Sequence, residues 1–256
     1  MSDLRLTLRQ VAYTNKAFWR NPASAFFTFA FPLLFLVIFT ALFGNDPTNV
    51  GGATVTGASF YVPAMAAFGM VSACYTNIAI TVSFQRDAGI LKRIAGTPLP
   101  GWTYLLGRVL HAMIVGLILV VLCGAFGKLF YDAQLPSGVD LVWLLIAVVV
   151  GGASFAALGL ACTTIVPNAD AAPAVVNATI LPVLFLSDVF INTTNAPAWV
   201  QWVGKIFPVK HFAEMLQAAF LPQSVAWRWS NVLVVAAWGL FGLLVAIRRF
   251  RWEPAR

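Results

Sequence analysis

The chain carries very little charge. Only 10% of its 256 residues are Asp, Glu, Lys or Arg, where a soluble domain has roughly 25%. Acidic groups are the scarcer kind, nine against sixteen Lys and Arg. With 60% of the residues hydrophobic, there is too little polar surface to cover a water-soluble body, so composition excludes one. Cys74, Cys123 and Cys162 sit inside apolar runs with no CxxC and no ligand at metal spacing, which excludes a zinc or redox motif and leaves them as small core residues. No GxxxxGKS/T stretch is intact. Gly127-Lys128 is followed by Leu129 and lacks the earlier glycine, so the chain has no phosphate cradle and does not hydrolyse ATP by itself. A nucleophile elbow, an HExxH helix and an inward carboxylate pair are also missing, which removes the usual intramembrane hydrolases.

What is present is a series of long apolar runs. Six are long enough for membrane spans of about 20 residues, at 23–43, 60–84, 104–130, 141–166, 171–190 and 232–247. The expected fold is an all-α membrane protein with six transmembrane helices, leaving no room in the chain for a soluble catalytic domain. Ionisable groups deep in these runs are nearly absent, and an ion-coupled carrier needs one at membrane depth. Asn77, Thr81, Asn177 and Thr179 are candidates for lining a cavity or for hydrogen bonding between helices, and Asp188 reads as an interfacial residue near the outer end of its span.

Residues 1–22 form an interfacial elbow. Arg5, Arg9, Lys16 and Arg20 fall within a stripe of roughly 60° on a helical wheel, with Leu4, Leu8, Val11 and Phe18 to one side. Such a helix lies against anionic headgroups with Trp19 at the aromatic belt, and Asn21-Pro22 breaks it before the first span. Residues 192–230 carry apolar residues at helical spacing, at Trp199, Trp202, Val203 and Ile206 and again at Phe212, Met215, Leu216 and Ala219. They predict short amphipathic helices in the outer interface before the last span.

Charge placement orients the bundle. With the N-terminus inside, twelve basic residues face inward (Arg5, Arg9, Lys16, Arg20, Arg86, Lys92, Arg93, Arg108, Arg248, Arg249, Arg251 and Arg256) and four outward (Lys128, Lys205, Lys210 and Arg228). That asymmetry predicts both termini inside and an even number of spans. The net charge of +7 is thus a matter of topology, and no nucleic-acid partner is expected.

Between the second and third spans lies a polar and basic island, residues 85–100. Ile90, Leu91 and Ile94 share one face of a short helix, which Gly96 and Pro98 stop. The order Gln85-Arg86-Asp87, Gly89, Leu91-Lys92-Arg93-Ile94, Ala95-Gly96, Thr97-Pro98-Leu99 and the aromatic start Trp102-Tyr104 is similar to the type-2 permeases of ABC exporters. One departure is Gln85, where many relatives carry Glu, and it puts one salt bridge to a partner in question.

The resemblance implies a membrane-spanning subunit that pairs with a second copy or a related permease and with two soluble ABC ATPase subunits. ATP and magnesium would reside on those ATPases, and this chain would bind no cofactor. Arg86, Asp87, Gly89, Ile90, Leu91, Lys92, Arg93, Ile94, Thr97 and Pro98 would form the coupling helix, with Ile90, Leu91 and Ile94 as apolar anchors on the ATPase and Arg86, Lys92 and Arg93 as charge complements. The implied setting is the bacterial cytoplasmic membrane and its lipids. The implied activity is export of a hydrophobic or amphipathic substrate, with the Thr-Pro-Leu segment resembling the drug-export, multidrug-resistance branch. Lipid-linked polysaccharide or lipid export is the alternative within the family. An autonomous ion-coupled carrier would need a midplane charge and an internal repeat that the sequence does not display.

Overall fold

The computed structural model describes residues 3–43, 47–50, 53–190 and 196–253; Arg256 and residues 192–195 of the expected outer region lie outside them. Helix α1 (Asp3–Trp19) is followed by α2 (Pro22–Phe43) and a small hairpin, β1 (Pro47–Val50) antiparallel to β2 (Ala53–Thr56). Then come α3 (Gly57–Val71), one π-helical turn (Ser72–Thr76), α4 (Asn77–Asp87), α5 (Ile90–Ala95), α6 (Gly101–Tyr131) and α7 (Val139–Cys162). The chain ends with α8 (Ala172–Phe185), α9 (Ala198–Ile206), α10 (Pro208–Phe220) and α11 (Trp229–Arg249). It is an all-α membrane protein. Among the described residues, five helices are long and apolar enough to cross a membrane: Pro22–Phe43, Gly57–Asp87, Gly101–Tyr131, Val139–Cys162 and Trp229–Arg249.

The run expected to span at 171–190 is helical only over Ala172–Phe185. Its 14 residues rise about 21 Å, less than the ~30 Å of a hydrocarbon core. The stop has a local cause, because Pro182 lies in the last turn and Asp188 takes a left-handed φ of 56° that no helix continues through. The shortfall is met from the other side. Helix α10, expected on the outer interface, is inserted into the bundle with nearly every residue buried, including Lys210 and Gln217. Phe212 meets Phe155 edge-on at 5.3 Å and fills the space left by the missing Cβ of Gly151, halfway along α7. Only α9 keeps the expected interfacial character, with Trp199, Trp202 and Ile206 exposed.

Water does not drive helices together inside a bilayer, so close packing of small residues decides which surfaces meet. The span Gly57–Asp87 is the most enclosed of the five. Gly159 of α7 lies against the backbone of the π-turn, where an added Cβ would stand 2.7 Å from the Tyr75 carbonyl oxygen. Gly239 and Gly242 of α11 seat it directly on Ser154, Ala157 and Leu158 of α7. A Gly242→Val substitution meets backbone atoms at 2.9–3.0 Å that cannot turn aside. We expect it to separate α11 from α7 at a cost of about 1–3 kcal/mol, read as a lowered apparent melting temperature in detergent.

Helix α2 shows the complementary pattern. Phe31, Phe35, Phe39 and Phe43 follow one another at four-residue spacing, with ring centroids 5.0, 5.9 and 6.5 Å apart. Phe39 stacks on Tyr61 at 5.1 Å and on Phe190 at 6.0 Å, tying the C-terminal half of α2 to α3 and to the segment after α8.

Candidate coupling site and membrane cavity

The island forms from local chemistry. Gly89 takes a left-handed φ of 69°, allowing the chain to turn out of α4 and start α5 only two residues later. Thr97 closes the other end, its hydroxyl donating to the Ile94 carbonyl at 2.7 Å and accepting from the Leu99 amide at 3.3 Å. Pro98 then prevents continuation. The result is a six-residue helix between two spans.

The faces of this helix differ from the expectation. Leu91, expected as an anchor on a partner, is 0% exposed and belongs to the core of the bundle, with Ile94 packed partly against it. It anchors α5 to its own protein. The outward surface consists of Ile90, 40% exposed, with Lys92, Arg93, Ala95, Thr97 and Pro98.

Arg86 is also turned inward. Expected as a charge complement for a partner, it is 4% exposed, and its guanidinium donates to the carbonyls of Thr163 at 2.7 Å and Val166 at 2.6 Å, just past the end of α7. The neighbouring Asp87 accepts the backbone N–H of Ala169 at 2.5 Å. Gln85 accepts a hydrogen bond from the Tyr104 hydroxyl at 2.5 Å, and that hydroxyl in turn accepts from Arg108 Nε at 2.9 Å. Gln85 is thus engaged inside the chain.

One further segment lies against α5. The C-terminal residues after α11 fold back along it, with Lys92 Nζ 3.2 Å from Glu253 and the Trp252 ring occupying the position a Cβ on Gly101 would need. Helix α1 lies on α6, where Gly107 leaves room for Gln10. Arg5, Arg9, Lys16 and Arg20 are exposed. Trp19 stacks on Phe29 at 5.8 Å and donates to Asn15, and beyond the break at Pro22 the Asn21 carboxamide oxygen accepts from the Ser24 amide at 3.2 Å.

On the surface of the bundle, an open cavity of about 370 Å³ lies between α2 and the span Gly57–Asp87. Phe27, Phe31 and Phe68 supply aromatic walls; Ser24, Thr28, Ser72, Thr76, Asn77 and Thr81 supply hydroxyls and an amide. Its lining carries no ionisable side chain. Thr28 and Thr81 donate to carbonyls four residues earlier, at 2.7 and 2.6 Å. Asn77, Ser72 and Thr76 make no side-chain hydrogen bond among the described residues, so their polar atoms are available to a guest. The π-turn helps place them, because its extra residue shifts the register between α3 and α4.

Of the other candidate polar residues, Thr179 bonds the Tyr75 hydroxyl at 2.7 Å and Asn177 is exposed on α8. Asp188, expected at a solvated interface, is instead mostly buried and pairs with Lys210 of α10 at 2.7 Å. The structure therefore brings Asn77 and Thr81 together, and leaves Asn177, Thr179 and Asp188 apart from them.

The sequence profile of ABC-2 type transporters matches residues 7–221. The chain belongs to the ABC-2 type transporter family. It is similar to ycf38 of Pyropia yezoensis, named as a transport permease, with 26% identity over 223 residues covering 86% of this chain and 75% of that protein. It is similar also to YbhR of Escherichia coli (strain K12), named as a multidrug ABC transporter permease, with 24% identity over 185 residues, 70% of this chain and 50% of YbhR. DrrB1 of Streptomyces coeruleorubidus, named as a daunorubicin resistance ABC transporter permease protein, is 26% identical over 242 residues, 90% of this chain and 80% of that protein. The match thus spans about half the length of YbhR.

With its spanning-length helices, this ABC-2 family chain is a multi-pass membrane protein. The cavity residues Ser24, Thr28, Ser72 and Thr76 went unread in the sequence. Their signal was visible as two pairs of hydroxyls at four-residue spacing inside apolar runs, parallel to Asn77 and Thr81.

Proposed function

We propose that this chain is the non-catalytic permease subunit of an ATP-driven exporter and takes its driving force through α5 from separate ATPase subunits. One observation carries the reading: a short helix rooted in the bundle by Leu91 presents Ile90, Lys92 and Arg93 outward between two spans. An exposed isoleucine beside two cations suits a groove with an apolar floor and acidic rim. Two ATPases, holding ATP and magnesium, would serve a pair of permeases, a second copy or a related chain. Basic residues on α1 and at the end of α11 fit a cytoplasmic placement of both termini.

The substrate is hydrophobic or amphipathic and drug-like. A cavity with aromatic walls, unengaged hydroxyl and amide groups and no ionisable side chain in its lining, Arg108 reaching only the Thr81 hydroxyl at 3.2 Å, suits a molecule with an apolar body and several hydrogen-bonding groups. The names of YbhR and DrrB1 support that class. Ile90→Asp supplies the test. The variant should insert and fold but fail to co-purify with its ATPase, and ATPase stimulation by hydrophobic antibiotics, present in the wild-type complex, should disappear. Normal co-purification would remove α5 as the docking element, and stimulation of the wild type by lipid-linked glycans alone would overturn the substrate class.

A further inference from the structure

Immediately before the turn at Gly89, α4 ends in two residues that bind the opposite side of the bundle. The last carbonyls of α7 are taken by the amides of the turn that follows, and the Arg86 fork reaches two carbonyls of that turn, three residues apart, Thr163 and Val166. A guanidinium suits this place because its rigid fork serves two acceptors at once and its charge complements the negative end of a helix dipole. Asp87 holds the next turn through Ala169, three residues before α8 begins. Thr163 also bonds back to Leu160, and Asn168 accepts from the Ala171 amide at 2.9 Å, so the connection is itself well braced. Burying a cation here is costly unless it is well hydrogen-bonded, and it has been placed on a hairpin remote in sequence.

Resting on the proposed docking of an ATPase at α5, we infer that Arg86 and Asp87 form a latch that makes the inner ends of α7 and α8 move with α5. A push on α5 arrives first at the Ala88–Gly89 turn, next to these two residues. Through Arg86 it is passed to α7, and through Asp87 to the start of α8. Without the latch, only the packing of this span on α7, closest at Gly159 and the π-turn, carries the push, and the ends of α7 and α8 next to α5 follow it less closely. Arg86 and Asp87 are positioning residues; neither lines the cavity.

The test uses the permease reconstituted with its ATPase in liposomes, measuring co-purified ATPase, hydrolysis and substrate moved per ATP. Arg86→Met should keep the ATPase bound and active while substrate moved per ATP falls by roughly tenfold, within the usual range of coupling between sites. Arg86→Lys should be intermediate, because an ammonium cannot reproduce the fork. Adding Asp87→Cys and Ala169→Cys to Arg86→Met should restore yield per ATP on oxidation and lose it again on reduction, an effect that a general loss of stability does not produce. Wild-type yield in Arg86→Met, or a formed disulfide that restores nothing, would overturn the latch. If Arg86→Met does not accumulate, Asp87→Ala carries the same test: a drop in yield supports the latch, and wild-type yield overturns it. Ile90→Asp in parallel separates the two readings, since a retained ATPase there sinks the docking site, whereas normal yield in Arg86→Met with docking intact sinks only the latch.

Discussion

Replacing Leu91 by aspartate is expected to abolish substrate-stimulated ATP hydrolysis and transport while leaving the spans inserted. The cause lies inside the permease. Leu91 is fully buried, and removing its packing alone costs about 2–5 kcal/mol. A carboxylate in its place adds several kcal/mol of desolvation, with no partner provided. Against that, α5 has little to hold it. Six residues are far below the length at which a helix persists alone in water, so its structure depends on Leu91 and Ile94 being seated, aided by the exposed Lys92–Glu253 pair.

Limited trypsin cleavage separates this outcome from loss of a docking surface. In Leu91→Asp, Lys92 and Arg93 lie on an unfolded loop and should be cut at least tenfold faster than in the wild type, as a loss of more than about 1.4 kcal/mol of local stability requires. In Ile90→Asp, α5 stays seated, so with the permeases purified away from any ATPase, cleavage there should match the wild type. A Leu91→Asp permease that resists trypsin and still couples to its ATPase would show that α5 is not rooted by this residue.

The contrast between Ile90 and Leu91 marks what the sequence could show. A short helix here and its stop were legible because they depend on neighbours in the chain, Gly96 and Pro98; its start after the left-handed Gly89 was not. Nor was its orientation. Six residues hold less than two turns, and Ile90, Leu91 and Ile94 are compatible with either adjacent isoleucine or leucine facing the bundle. Arg86 was misplaced for a related reason: a cation at the edge of a span reads as exposed, and its acceptors lie 77 and 80 residues away. The spans were legible where an apolar run alone fixes a helix, at α2, α6, α7 and α11. The fifth run failed because its apolar residues continue past Phe185 while its backbone does not, and the structure completing it, α10, carries enough polar residues to resemble a surface helix.

That substitution of α10 for the missing part of a span makes the Lys210–Asp188 pair the second site of large expected effect. The two charges lie 2.7 Å apart with side chains 9% and 15% exposed, joining the bend after α8 to the first turn of α10. Such a pair contributes little over a well-packed apolar pair, but deleting one member takes away the opposite charge that offsets the burial of the other. Lys210→Met should therefore cost about 3–5 kcal/mol, lowering the apparent melting temperature by something on the order of 10 °C. Asp188→Asn keeps a side chain that tolerates the left-handed backbone at this bend, so it isolates the charge from the conformation. Combined with Lys210→Met it leaves no buried charge, and most of the loss should be regained in the double variant. Equal melting of Lys210→Met and the wild type would show that α10 is held by its apolar contacts alone; equal melting of the single Lys210→Met and the double variant would show that the ammonium matters for packing and not for neutralising Asp188.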